Sequence, residues 1–167
     1  VTKGLVTGDP LDESTQLGPM ISEGQRQTSL DYLAIGAAEG AKQLCGGEAS
    51  GPGWYLTPSV LADVDNSMRI AQEEIFGPVV SVLTFRTPAE AVAKANNTPY
   101  GLSAGVWTEK GSRILWMADQ LRAGVVWANT FNKFDPTSPF GGYKESGYGR
   151  EGGRHGLEAY VTTGAQR

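Results

Sequence analysis

The sequence predicts an α/β fold with parallel strand pairing, and two observations carry that expectation. Short apolar runs rich in β-branched residues, Val79 to Phe85 (VVSVLTF) and Val125 to Ala128 (VVWA) among them, alternate with segments whose apolar residues recur at helical spacing. The helical segments also carry their own start signals. The clearest is Thr87-Pro88-Ala89-Glu90, a capping box with Pro at the first helical position.

In chain order, Val1 to Pro19 reads as an extended entry and a loop, with turn chemistry at Gly8-Asp9-Pro10-Leu11-Asp12 and a close at Gly18-Pro19. Ser22 is placed to cap a helix on which Leu30, Leu33, Ala34, Ala37 and Ala38 share a face, and Gly40 fits its C-terminal end. Ala41 to Cys45 is a short strand stopped by Gly46-Gly47, and Trp54 to Leu61 is another. The run Val79 to Phe85, bounded by Gly77-Pro78, reads as a buried strand. The capping-box helix then offers Ala91, Val92 and Ala95 and ends at Asn96-Asn97, and Tyr100-Gly101 turns the chain. Ala104 to Trp107 is a strand, Thr108 caps a helix carrying Ile114, Leu115, Ala118 and Leu121, Gly124 ends it, and Val125 to Ala128 is a buried strand. From Asn129 to Gly156 periodicity disappears, and Phe131, Phe134 and Phe140 stand among Asn, Asp, Pro and Gly. A loop this long is functional or disordered, and three Phe argue against disorder. Leu157 to Thr163 (LEAYVTT) reads as a terminal strand with no hairpin partner after it, an edge that invites association.

Composition narrows the class. With 167 residues, 40% of them hydrophobic, the chain can bury a sizeable core. A net charge of −4 and no basic run argue against a nucleic-acid partner, and no apolar stretch approaches a membrane span. One cysteine excludes an internal disulfide framework and fits a reducing compartment, so a cytoplasmic protein is expected. The chain opens on Val1 without a start signal, which leads us to expect a piece of a longer protein.

Chemistry concentrates at Gln72-Glu73-Glu74-Ile75-Phe76-Gly77-Pro78, where two carboxylates and a ring sit beside a stiff turn. The residues alone leave two readings open: an acceptor and a ring presented to a ligand, or a surface Glu pair beside a core Phe. Gly147-Tyr148-Gly149-Arg150-Glu151-Gly152 matches G-x-G-x-x-G but follows a Pro/Gly loop and has no downstream acidic partner at the required distance, so turn glycines account for it. Cys45 is the one possible cysteine nucleophile, or a small residue ending a strand. Together with the single His155 it cannot form a zinc site of ordinary composition. The Asn96-Asn97-Thr98 sequon carries no meaning in an intracellular protein.

The segments QEEIFGPVVSV (72–82), NNTPYGLSAGVWT (96–108), AGVVWAN (123–129), SPFGGYKESGYGRE (138–151) and the spaced GDPLD and GPMIS (8–22) occur in the order found in NAD(P)-dependent aldehyde dehydrogenases. The chain resembles the C-terminal part of that superfamily over essentially its whole length. The resemblance implies an incomplete three-layer, parallel-sheet catalytic domain (1–145) followed by a returning tail and oligomerisation strand (146–167). It implies that Glu74 accepts hydrogen bonds from the nicotinamide ribose hydroxyls of NAD or NADP and that Phe76 packs near the nicotinamide. A carboxylate suits a vicinal diol because its two oxygens take both O–H donors. Asn129, Phe134 and Phe140 match positions along the aldehyde tunnel, where apolar rings suit a hydrocarbon tail. The tail implies a homo-oligomer through Leu157 to Thr163.

By the same resemblance the nucleophilic cysteine, the general-base glutamate and the Rossmann half lie upstream, and Cys45, in QLCGG, has no catalytic role. The chain is therefore expected to contain no catalytic residue of its own and to be inactive in isolation. Two other readings stand beside this one: a fragment of a coenzyme-A-acylating semialdehyde dehydrogenase, and a non-catalytic binding or assembly module that reuses the half-fold.

Overall fold

The computed structural model describes residues 1–162 and 164, which divide between two units, Val1–Thr84 and Phe85–Arg167, each with its own core. In the first unit the Ser22 hydroxyl accepts from the Gln25 backbone N–H at 3.2 Å and opens α1 (Glu23–Ala38). Gly40, at φ +102°, ends the helix in a conformation that other residues resist. The chain then reverses into β1 (Lys42–Cys45), passes the two-residue strands β2 (Ala49–Ser50) and β3 (Tyr55–Leu56), and enters β4 (Ser59–Ala62). A single turn of helix, α2 (Arg69–Gln72), precedes β5 (Val79–Ser81). β4 pairs antiparallel with β1 and parallel with β5, so the sheet order is β1-β4-β5.

The core of this unit is Leu33, Ala41, Leu61, Val64 and Ile70, with Leu30, Ile75, Val79 and Leu83 packed around it. Leu61 is fully buried, which contributes ~1.5–3 kcal/mol relative to an exposed side chain. Gly36 lets α1 approach α2 closely, since a Cβ there would stand 2.9 Å from the Ile70 Cδ1. The strand expected over Trp54 to Leu61 is split in two at Pro58, which has no N–H to give a ladder. The expectation of a buried strand from Val79 to Phe85 is corrected: only Val79–Ser81 is strand, and Val80 and Phe85 are 57% and 60% exposed. Successive side chains of β5 point to opposite faces, so Val79 packs on the core while Val80 does not.

In the second unit the Thr87 hydroxyl accepts from the Glu90 N–H at 3.1 Å and Pro88 opens α3 (Pro88–Asn96), as the capping box predicts. The Glu90 carboxylate reaches back one residue further than in the usual box, to the Arg86 N–H at 2.8 Å. β6 (Tyr100–Gly101), β7 (Ser103–Val106), α4 (Gly111–Gln120) and β8 (Val125–Ala128) follow, and β7 pairs parallel with β8 in register from Ser103↔Val125 to Val106↔Ala128. Val92, Val106 and Leu121 form the core, with Ala104, Met117 and Val126 against it. α4 starts at Gly111 rather than beside Thr108, because the Thr108 backbone is engaged by Asn129 (below) and its hydroxyl accepts from the Lys110 N–H instead. It stops at Gln120, whose carbonyl accepts from the Asn96 side chain at 2.9 Å. Gly124 serves a different purpose: a Cβ there would run into the Gly141 carbonyl, so two backbones pass in contact.

β9 (Tyr143–Lys144) pairs antiparallel with β6. The terminal strand expected over Leu157 to Thr163 is corrected for the described residues, and Thr163 lies outside them. Leu157 and Glu158 belong to α5 (Gly153–Glu158), followed by a turn in which the Tyr160 N–H donates to the Leu157 carbonyl at 2.9 Å. Alternation is not sufficient for a strand; it needs a ladder partner, and none is present for residues 157–162 among the described residues. The helical alternative supplies its own local bonds and places Arg154 and Glu158 one turn apart.

Candidate functional site

The two adjacent carboxylates separate completely in their surroundings. Glu73 is tied to the scaffold: the Arg69 guanidinium donates to both its oxygens at 2.9 Å, and the Tyr32 hydroxyl donates at 2.6 Å. The Arg69 and Tyr32 bonds hold its carboxyl down to about pH 2, while Tyr32 and Arg69 are pushed upward by the same carboxylate. Glu74 is exposed, and its carboxylate has no hydrogen bond or ion pair among the described residues. A presented acceptor therefore exists, and it is the second carboxylate of the pair.

Two residues on, Phe76 is 77% exposed, so it is not a core ring. Its backbone lies at φ +50°, a left-handed conformation that costs a non-glycine residue ~1–3 kcal/mol unless the surroundings enforce it. Two features do. The Gln25 side-chain amide, on α1, donates to the carbonyls of both Ile75 (2.8 Å) and Phe76 (3.1 Å). Gly77 then packs so closely on the fully buried Ser29 that a Cβ would overlap the Ser29 Oγ. Gln25 was not singled out by its sequence context. Ser22-x-x-Gln25 is a capping-box signature, and that signature points to a local bond rather than one spanning fifty residues.

In the second unit Asn129 follows β8 directly and is the other predicted site residue with a left-handed backbone, at φ +52°. Its side-chain amide copies a peptide group: Oδ1 accepts from the Thr108 N–H at 2.8 Å and Nδ2 donates to the Thr108 carbonyl at 3.0 Å. That extends the β7–β8 pairing past its last residue, at the C-terminal ends of the two parallel strands, where open α/β sheets bind their ligands.

The aromatic residues of the loop form a chain of edge contacts. Trp127, buried on β8, meets Phe131 at 4.9 Å and Phe134 at 5.4 Å between ring centres, and Phe134 meets Phe140 at 4.9 Å with planes 87° apart. The Trp127 indole N–H donates to the Lys133 carbonyl at 3.0 Å, and an Asx turn at Asp135 shapes the return toward Phe140. The Thr137 N–H and hydroxyl hold the Asp135 carboxyl below its ordinary range. Phe140 and Glu151 exchange both backbone bonds at 2.7 Å, closing the segment between them into a loop. Inside it Arg150 donates to the carbonyls of Gly142 (2.8 Å) and Gly149 (2.9 Å) and lies over the Tyr143 ring. The G-x-G-x-x-G glycines of 147–152 are thus turn glycines, Gly147 and Gly152 having positive φ. Trp127, which the sequence marks only as part of a buried strand, joins the expected tunnel residues Phe134 and Phe140 in one chain of rings.

Cys45 is half-buried on β1 beside a bulge in the β1–β4 pairing. No group of three His, Cys, Asp or Glu side chains that could hold a metal occurs among the described residues, and no helix among them is long and apolar enough to cross a membrane.

Residues 1–165 match the aldehyde dehydrogenase family. This chain belongs to that family. It is 50% identical over 164 residues to betaine aldehyde dehydrogenase 1 of Rhizobium meliloti (strain 1021), covering 96% of this chain and 34% of that protein. Among solved structures, the NAD-dependent aldehyde dehydrogenase of Sinorhizobium meliloti superposes with a TM-score of 0.94 at 46% identity, covering 96% of this chain and 32% of that one. The betaine aldehyde dehydrogenase of Staphylococcus aureus in complex with NAD+ superposes with a TM-score of 0.93 at 39% identity, covering 96% and 33%. The chain thus spans about a third of the length of the aldehyde dehydrogenases it matches. Its mixed α/β sheets are an incomplete portion of their fold.

Proposed function

We propose that this chain forms the C-terminal part of the catalytic domain of a cytoplasmic, NAD-linked aldehyde dehydrogenase, with Glu74 and Phe76 on the cofactor and Asn129, Phe134 and Phe140 along the path of the aldehyde. Residues 1–145 belong to the catalytic domain and 146–167 to the returning tail. The observation that carries the reading is the contrast at the turn: Glu73 is neutralised by Arg69 while Glu74 stands exposed beside an exposed ring. Those two residues fit a nicotinamide nucleoside. NAD+, when bound, would supply the hydride acceptor for oxidation of the aldehyde once a nucleophile from the rest of the enzyme has added to it. Glu74 would orient the cofactor by taking both ribose O–H donors, and Phe76 would cover one side of the ring and exclude water.

In an intact dehydrogenase carrying this chain, Glu74→Gln is expected to lower turnover roughly tenfold to a hundredfold, as for one or two charge-assisted hydrogen bonds. Unchanged turnover with unchanged cofactor affinity would remove Glu74 from the cofactor site. The chain alone contributes no nucleophile. Incubated with propanal and NAD+ it should produce no NADH, and turnover abolished by Cys45→Ser would overturn that.

A narrower substrate reading is supported by the rings. Phe131 and Phe134 are each more than half exposed beside Trp127, and faces of this kind attract a quaternary ammonium by ~0.5–2 kcal/mol. A trimethylammonium aldehyde, the substrate in the names of several relatives, would be preferred over an isosteric neutral aldehyde. Phe134→Ala should raise KM for the cationic aldehyde more than for the neutral one, and equal effects would leave only a hydrocarbon-binding wall. The exposed Leu157, Tyr160 and Val161 offer an apolar surface for homo-oligomer formation. Light scattering on the chain and on a version ending at Gly156 tests this, with loss of association expected in the shorter one.

A further inference from the structure

We infer that Gln25 is a positioning residue for the Glu74–Phe76 turn: a clamp on α1 that enforces the left-handed backbone of Phe76 and thereby the outward aim of both cofactor-facing side chains. This rests on the cofactor reading above and adds to it a residue remote in sequence. Three observations converge. Gln25 stands at the third helical position after the Ser22 cap, where a Gln side chain ordinarily bends back to the cap's own N–H. Here its backbone N–H is satisfied by Ser22, and its side-chain amide is turned to Ile75 and Phe76. Both acceptors are carbonyls of consecutive residues, and such carbonyls converge on one donor only where the chain turns sharply, as the φ of +50° at Phe76 makes it do. The helix carrying the clamp is itself fixed to the turn, because Ser29, one turn after Gln25, is fully buried against Gly77 and donates to the Gln25 carbonyl at 3.1 Å.

The geometry makes a chemical demand. The position needs an N–H donor about as long as glutamine; an acceptor of the same length would face two carbonyl oxygens, and an apolar side chain would leave both unbound. Without the clamp, Phe76 relaxes toward the ordinary negative-φ regions. That rotates the peptide linking Phe76 to Ile75 and carries Glu74 with it.

The test uses the isotopically labelled chain and then the intact dehydrogenase. In the chain, a scalar coupling across the hydrogen bonds from the Gln25 side-chain nitrogen to the carbonyl carbons of Ile75 and Phe76 is expected. Gln25→Met should remove the left-handed carbon shifts of Phe76 while leaving those of Leu33, Leu61 and Ile70 in place. Gln25→Lys, which restores a donor, should recover them. A Phe76 that stays left-handed in Gln25→Met overturns the clamp. In the intact enzyme, Gln25→Met should raise KM for NAD+ roughly three- to tenfold, the loss expected for hydrogen bonds of ordinary strength, with KM for the aldehyde unmoved. If Phe76 changes conformation and the cofactor KM does not, the clamp stands and the cofactor assignment of this turn falls.

Discussion

The two candidate segments, one in each unit, hold strained backbones by different means. At the turn of residues 73–77 the support is polar and comes from side chains: Gln25 on two carbonyls, Arg69 and Tyr32 on Glu73. In the loop of residues 129–151 it comes from rings meeting edge to face and from glycine backbones in contact, with one side-chain amide, that of Asn129, standing in for a peptide. Polar side-chain clamps are local and can be replaced one at a time. Backbone-to-backbone contacts admit no substitute, because neither partner can be trimmed.

Two glycines bring that difference out most strongly. Gly124→Ala sets a methyl against the Gly141 carbonyl, and we expect a loss of ~3 kcal/mol or more, with no second-site side-chain change that restores it. Gly77→Ala sets its methyl against the Ser29 side chain, so the double variant Gly77→Ala with Ser29→Gly should recover much of the loss. Chemical denaturation of the parent, the two single variants and the double variant decides this, and a double variant no more stable than Gly77→Ala alone would erase the distinction. A smaller effect is expected from Phe134→Ala, which removes the edge contacts to Trp127 and Phe140 and should cost ~1–3 kcal/mol, since the ring is half exposed. It should also alter Trp127 emission, which a purely distant effect would not.

The smallest effect is electrostatic and belongs to the first unit. Glu73 has its pKa depressed in the folded chain, so its contribution is fully present above the ordinary carboxylate range and is lost as pH falls from about 4.5 through about 2. Glu73→Gln should flatten part of the stability-versus-pH curve in that window and change little at pH 7, where exposed pairs contribute modestly. Asp12, Glu90 and Asp135 are also depressed and will keep a residual slope. A curve identical to that of the parent would show that the Arg69–Glu73 pair adds nothing in solution.

What could be read from the residues follows the range of the interactions. The Ser22 cap, the Thr87 capping box and the Val125–Ala128 strand are set by neighbours within a few positions and form where expected, although of the strand, expected to be buried, only Trp127 is buried. Arg69 stands four residues before Glu73 but drew no notice in the sequence, and the Tyr32 hydroxyl that completes the cradle comes from a distant helix. That is why the two glutamates looked alike in the sequence. Gln25 drew no notice either, because its three-residue spacing from Ser22 suggests nothing beyond a local cap. The terminal segment shows a third limit. Leu157 to Thr162 alternates as a strand would, yet alternation reports only which side chains share a face and says nothing of a partner.

Asn129 has a consequence for how the protein ages. An asparagine destroys itself when its side-chain carbon is attacked by the backbone nitrogen of the next residue, here Thr130. Held at both ends by the Thr108 peptide, the Asn129 amide is fastened away from that attack. Were it to deamidate, the aspartate would place an anionic oxygen against the Thr108 carbonyl, and the strand ends would part. Among the asparagines of this chain, Asn129 should be late to show the mass gain of deamidation on prolonged storage, and its appearance should coincide with loss of the folded loop rather than precede it.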